Sequence, residues 1–196
     1  LTFMLESPTC ASLEGWTNEG DEVSVADGIV EAKESKFDFY QILPKMPKGV
    51  YRLTANAFDR PGSLYTAGKD YAAGNNKVCT SLYLRSSANS ALVKNLLASA
   101  QEEKLGVGTE RSSTVGYVPN NALAATEYFA RGLYQNELIV QVNIKADMRV
   151  GIMNSEAISN SWIGFNDFHL YYYGSEVSKE EVTGINATPA QGADSD

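Results

Sequence analysis

Carboxylates outnumber basic groups in this 196-residue sequence, with 24 Asp and Glu against 16 Lys and Arg. Two carboxyl groups hydrolyse a glycosidic bond when one acts as general acid and the other as base or nucleophile at a suitable separation. Asp59, Glu127 and Asp167 are candidates because each neighbours aromatic residues. Spacing along a chain does not set that separation, and solvated or structural acids far outnumber catalytic ones, so the chain reads as a non-enzyme. The single histidine, His169, lies among alternating aromatics with no GxSxG serine elbow in the sequence, which places it on a strand face. Gly106-Val107-Gly108 lacks the third glycine and following helix of a dinucleotide site, and neither Lys94 nor Lys104 belongs to a GxxxxGK(S/T) loop. Cys10 and Cys79 form no CxxC or Cys/His spacing, leaving one long-loop disulfide or two buried thiols. A lone histidine excludes a His-rich metal centre.

A formal charge of −8 opposes duplex nucleic acid, whose phosphates require a basic surface. No apolar run approaches the roughly 18 residues that span a bilayer as a helix, since Leu138-Ile139-Val140 is closed by Gln141. A start at Leu1 without a basic-then-apolar leader is compatible with removal of a signal peptide.

The elements that must position any site are mostly strands. Residues 36–43 carry Phe37, Phe39 and Gln41-Ile42-Leu43 and read as a strand ended by Pro44 and Pro47. Residues 50–58 set Tyr51, Leu53, Ala55 and Ala57 against Arg52, Thr54 and Asn56, the period of two of a half-buried strand. Residues 59–77, broken by Pro61, Gly62, Gly68 and Gly74, read as a long aromatic-bearing loop with function and packing equally open. Strand pattern returns at 78–85, and Leu92, Val93, Leu96 and Leu97 suggest a short helix or loop within 91–105. Residues 121–131 read as a helix capped by Asn120 or Asn121 and ended by Gly132. Leu138, Val140, Val142 and Ile144 then share one strand face, residues 148–153 form another strand, and 162–173 close the fold with Phe168, Leu170 and Tyr172 alternating against Asp167, His169 and Tyr171. Many strands without regular βαβ alternation predict an all-β sandwich of two antiparallel sheets with one or two short helices. Residues 175–196, poor in aromatics, read as a flexible linker or tail.

Particular residues carry a family resemblance: Gly15-Trp16-Thr17, Leu43-Pro44, Gly49-Val50-Tyr51-Arg52-Leu53, Ala57-Phe58-Asp59-Arg60, the run Phe-Ala-Arg-Gly-Leu-Tyr-Gln-Asn at 129–136, and Trp-Ile-Gly-Phe-Asn-Asp-Phe-His-Leu-Tyr-Tyr at 162–172. Together they resemble galactose-binding-like, carbohydrate-binding-module-like jelly-roll domains of secreted Bacteroidetes proteins, over roughly residues 13–174. The resemblance implies a jelly-roll domain over 1–174 and a tail over 175–196, in which Val182-Thr183-Gly184-Ile185-Asn186 is similar to the spacer before a sorting segment. It also implies an extracytoplasmic accessory module that needs no cofactor, admits a structural calcium ion, binds glycan or polysaccharide through loops at one end, and is joined to other domains of a larger secreted protein. A structural or adhesion module that binds protein is the rival reading, and a glycoside hydrolase the third.

A pyranose presents an apolar face and a rim of hydroxyls, so its site combines aromatic rings with planar donors and acceptors. The residues that would supply them are Arg60, Tyr65, Tyr71 and Asn75 in the long loop, with Asn76 beside them; Tyr128, Arg131 and Tyr134 around the helix-to-strand turn, with Asn136 beyond; and Trp162 after Ser159-Asn160-Ser161. Each has a plain structural alternative. Tyr65 and Tyr71 could pin their loop, Trp16 and Trp162 could fill sandwich edges, and Arg60 could pair with Asp59 or Asp70.

Overall fold

The computed structural model describes residues 5–86 and 89–183. The early strands are β1 (Thr17–Gly20), β2 (Ser24–Ala26), β3 (Ile29–Lys33), β4 (Phe37–Met46) and β5 (Gly49–Arg60). Helix α1 (Leu64–Ala72) precedes β6 (Thr80–Arg85), β7 (Asn89–Leu92), β8 (Lys94–Asn95) and a 3-10 turn at Leu96–Ser99. The hairpin β9 (Thr109–Ser112) and β10 (Gly116–Pro119) leads to α2 (Ala122–Ala130), β11 (Gln135–Val142), β12 (Ala146–Asn154), β13 (Trp162–Tyr172) and α3 (Lys179–Thr183).

One sheet runs β1-β4-β12-β6-β7 and the other β11-β5-β13-β3-β2, both antiparallel along these paths, with β8 adding a short parallel pair at the end of β5. The chain alternates between the sheets as it passes through β3, β4, β5 and β6 and again through β11, β12 and β13, which gives the jelly-roll sandwich expected from the sequence. Alternation decides what meets in the middle. Phe37, Phe39, Leu82, Leu84, Val150 and Ile152 of one sheet share a core with Val30, Leu53, Ala55, Ala57, Ile163 and Phe165 of the other. Trp16 packs on its edge, stacked on Phe39 at 4.6 Å, as a filler of the sandwich edge.

Two bulges correct the strand readings. β4 does not end at Pro44 but continues to Met46, because Pro44 and Lys45 fall at a register shift against β12, where the proline needs no ladder partner. Lys45 takes φ 50° there and its N–H donates to Asp147 Oδ1 at 3.0 Å. In β13 the register shifts between Asn166 and His169, with Asp167 at φ 57°, so Phe165 and Phe168 both point inward. Simple alternation resumes only after that bulge. Ile144 lies past the end of β11 and is exposed, so it leaves the face shared by Leu138, Val140 and Val142.

The largest departure is at 59–77, which holds α1 rather than a long loop. Ser63 caps the helix by accepting from the Thr66 N–H at 3.1 Å, and Gly62 and Gly74, at positive φ, lie outside it. Gly68 is the one glycine inside, where a Cβ would collide with Ser112 Oγ, so it serves close approach to β9. Within residues 91–105 the short helix is the 3-10 turn, confined to Leu96–Ser99 because Val93 and Lys94 are taken up by neighbouring strands. The helix at 121–131 forms as α2, with Asn121 as its cap.

The composition of 175–196 suggested a tail, but 175–183 carries α3, whose Val182 is buried against Val50 and Tyr173. One buried valine covers an outward apolar residue of β5 that composition does not register. The spacer-like run from Val182 continues beyond the described residues. Cys10 and Cys79 are unbonded; Cys10 is buried, and Cys79 is half-buried with its thiol donating to Glu156 Oε2 at 3.7 Å.

Asp59 ties the sheets together. It is 2% exposed and its Oδ2 accepts from Thr80 Oγ1 at 2.8 Å and the Cys79 N–H at 3.3 Å. Burial pushes its carboxyl up from 3.8 to about 6, outweighing the lowering by these donors. A carboxyl whose folded pKa is raised stabilises the fold fully below its unfolded value, and that contribution is lost as pH rises through the folded one. Asp59 is therefore expected to cost the fold up to about 3 kcal/mol on going from pH 4 to pH 7. Asp59→Asn should flatten this part of the profile, as read by chemical denaturation at several pH values; an unchanged slope would show that Asp59 is not the titrating group.

Candidate functional site

The outward face of the second sheet is where polar chemistry collects. Alternation along β3, β5 and β13 turns Glu31, Lys33, Phe58, Arg60, Trp162 and Gly164 away from the shared core. Phe58 would be an exposed phenylalanine were it not covered. Its ring lies across Gly164, where a Cβ would sit 2.6 Å from it, and it meets Trp162 edge-on at 4.7 Å, Tyr134 at 5.3 Å and Phe129 at 5.8 Å. Ala67 of α1 and Ala125, Tyr128 and Phe129 of α2 complete this second cluster. The helices thus sit on the sheet, and a cleft of about 690 Å³ opens between their N-termini and the ends of β3 and β13.

Trp162 forms its back wall. The residue is 4% exposed, and its indole Nε1–H donates to Glu31 Oε2 at 2.6 Å, fixing a buried carboxylate at the base. Arg60 holds the rim. Its Nε donates to Gly62 O at 2.9 Å, one terminal nitrogen to Asn120 Oδ1 at 3.0 Å and the other to Asn160 O at 3.0 Å. One guanidinium therefore joins the turn before α1, the turn before α2 and the turn before β13, lying over Trp162 at 5.6 Å from a ring centroid. Burial lowers its pKa from the ordinary arginine value. It pairs with neither Asp59 nor Asp70; Asp59 faces the other way, and Asp70 pairs with Lys77 at 3.3 Å. Glu34 Oε1 accepts from the Asn160 N–H at 2.8 Å, bracing the same turn from β3. Asp27, Lys33, Glu34, Asn120, Asn121 and Asn160 line the cleft with exposed side chains. The arrangement is an open polar cup whose carboxylate, amide and ammonium groups can hydrogen-bond to a ligand rich in hydroxyls.

Of the sequence candidates, the cleft gathers Arg60 and Trp162. Tyr65 follows Leu64 on the first turn of α1, outside the lining but 71% exposed. Tyr71 packs partly against the second cluster, Asn75 is exposed in the turn after α1, and Arg131 is exposed at the C-cap of α2. Tyr128 and Tyr134 are corrected to core residues. Both are fully buried and stacked at 5.9 Å, with hydroxyls donating to Tyr117 O at 2.8 Å and Leu96 O at 2.6 Å, so no surface ligand reaches them. Asn136 is likewise buried, with its amide donating to Ala57 O and Tyr134 O. The acids Asp59, Glu127 and Asp167 do not enter the cleft. Sequence reading missed Asp27, Glu31, Lys33 and Glu34 as lining groups. Only Asn120 and Asn121, as candidate helix caps, and Asn160, in the polar run before Trp162, carried a local signal. Among the described residues no cluster of three or more His, Cys, Asp and Glu is placed to hold a metal ion.

No family model and no curated protein matches the chain. Among solved structures it is similar to TmCBM61, a module determined in complex with β-1,4-galactotriose, at 16% identity over 86% of this chain and 97% of that one, with a TM-score of 0.44. It is also similar to a mutant of a carbohydrate binding module of family 29, at 11% identity over 85% and 88% of the two chains with a TM-score of 0.35. A third is a protein proposed to bind sugar from Bacteroides thetaiotaomicron, at 10% identity over 88% and 94%, with a TM-score of 0.38.

Trp162→Phe keeps most of the back wall but strands the buried Glu31 carboxylate without its donor. The expected loss of stability is about 1 to 3 kcal/mol by denaturant titration. A change below about 0.5 kcal/mol would show that the indole hydrogen bond does not hold the base of the cleft.

Proposed function

We propose that the chain is a non-catalytic carbohydrate-binding module of an extracytoplasmic protein and that glycan occupies the cleft between the N-termini of α1 and α2. The observation that carries this is the composition and rigidity of the cup: exposed Asp27, Lys33, Glu34, Asn120, Asn121 and Asn160 around a buried Trp162–Glu31 base, with Arg60 fastening three turns. Hydroxyls are read by such planar groups, and a site already held in place loses little entropy on binding. Two of the segments behind the family resemblance, those ending in Arg60 and beginning at Trp162, meet here. Tyr65, on the exposed first turn of α1, is the aromatic surface open to a sugar that extends past the rim.

Three carboxylates beside a tryptophan also favour hydrolysis as a second reading. In the binding reading Glu31 and Glu34 hold the indole and the Asn160 turn rather than a water and a leaving group.

A glycan array covering plant, mucin and microbial polysaccharides, with calcium and with chelator, tests both. Binding by the native chain is expected. Lys33→Ala and Asp27→Asn should each weaken it about three- to tenfold, as expected for the loss of one hydrogen-bonding partner, without lowering the melting temperature. Tyr65→Ala should weaken binding to longer glycans more than to short ones. Loss with chelator would assign a bound cation, and released reducing ends would move the reading to hydrolysis. A blank array with folded protein would favour the protein-adhesion reading.

A further inference from the structure

We propose that the solvent face of the first sheet, on the opposite side of the sandwich from the cleft, binds the carboxylates of an acidic glycan through Arg85 and Arg149. Phe39, Leu82, Leu84, Val150 and Ile152 point into the core, so Tyr40, Ile42, Tyr83, Arg85, Arg149 and Gly151 point outward. The register sets Arg149 directly opposite Arg85 on β6 and Ile42 on β4. The neighbouring row is Tyr40, Gly151 and Tyr83. From one row each guanidinium lies over a ring of the next, Arg149 at 3.4 Å from the Tyr40 centroid and Arg85 at 4.1 Å from that of Tyr83. Gly151 puts no side chain between them, and a Cβ there would come within 2.8 Å of Tyr40 Cβ.

Like charges directly opposite across a ladder repel, so this pair is a liability unless something neutralises it. The protein supplies carboxylates beside Arg149 and none beside Arg85 among the described residues. Arg149 lies 3.7 Å from Glu19 and 3.8 Å from Asp38, too far for hydrogen bonds, and those carboxylates already accept from the hydroxyls of Tyr40 at 2.6 Å and Tyr83 at 2.5 Å. Arg149 Nε is buried without a hydrogen-bond partner and lies out of a ligand's reach, so the terminal nitrogens are the donors that Arg149 offers. Arg85 forms no ion pair among the described residues and donates to Met153 Sδ at 3.1 Å. Arg85, which no carboxylate pairs among the described residues, and the terminal nitrogens of Arg149 fit an anion that accepts from both.

A planar carboxylate matches the guanidinium fork, and, resting on the reading of the chain as a glycan-binding module, this commits the ligand to a uronic-acid glycan. Ile42 and Leu92, 55% and 59% exposed, are the apolar side chains that this face offers to the C–H surface of a sugar ring. Sulfate esters share the anionic chemistry, so the probes must separate the two sources.

The test is affinity electrophoresis of the full chain in polygalacturonate, which carries carboxylate without sulfate, in carrageenan, which carries sulfate without carboxylate, and in neutral galactan. Retardation by polygalacturonate is expected, and Arg85→Gln and Arg149→Gln should each weaken it about tenfold or more, the loss of a charge-assisted hydrogen bond. Arg85→Lys, which keeps the charge and loses the fork, should fall between. Arg85→Gln removes a like-charge pair but also the guanidinium that covers Tyr83, so its unfolding transition is measured beside the native one, and a single cooperative transition establishes that the variant folds. No retardation by polygalacturonate, equal retardation of native chain and Arg85→Gln, or retardation by carrageenan alone would each overturn the proposal. The two surfaces fail separately: Lys33→Ala reports on the cleft and Arg85→Gln on this face.

Discussion

A phenylalanine that points away from the core has to be covered, and Phe58 imposes that constraint on the rest of the molecule. Strand β5 is apolar toward the other sheet at Leu53, Ala55 and Ala57, yet its outward side also carries Val50 and Phe58. An exposed ring there would forfeit roughly 2 kcal/mol of burial. The chain answers with a third layer. Helices α1 and α2 and the 3-10 turn seal Phe58 at one end of β5, and α3 seals Val50 at the other.

The cleft is a by-product of that cover. Short helices laid on a sheet do not reach its edge, and the gap they leave is floored by the next outward residues of the same strands, Glu31, Arg60 and Trp162. Polar groups brought into such a half-buried place must find partners. They do so with one another and with backbone: indole to Glu31, Glu34 to the Asn160 N–H, Arg60 to three turns. The hydrogen bonds that satisfy the floor also hold the walls, so the polar groups of the site fix one another and the turns that carry them.

The first sheet solves its outer face differently. Among the described residues no helix covers it, and Tyr40 and Tyr83 are shielded by Arg149 and Arg85 instead. Cation-on-ring packing hides aromatic area while leaving charged groups at the surface. The two faces of one sandwich therefore offer different chemistry, a neutral-to-acidic cup on one side and a pair of arginines on the other.

The sequence by itself determined the sandwich, because a period of two along β5 and β11 and in the closing strand leaves each sheet one apolar face that only another sheet can bury. It also marked Arg60 and Trp162, through short segments of local pattern, and the helix at α2, through its Asn121 cap. It did not show α1, since glycines at 62, 68 and 74 break any period although two of them lie outside the helix and the third serves a contact with Ser112. Tertiary structure alone decided that Tyr128 and Tyr134 are core, that Glu31, Lys33 and Asp27 share a cleft with Asn120, and that Arg85 faces Arg149. The reason is physical: alternation fixes which side of a strand a residue takes, whereas what lies across from it depends on register and on helices packed from elsewhere in the chain, and neither leaves a local trace.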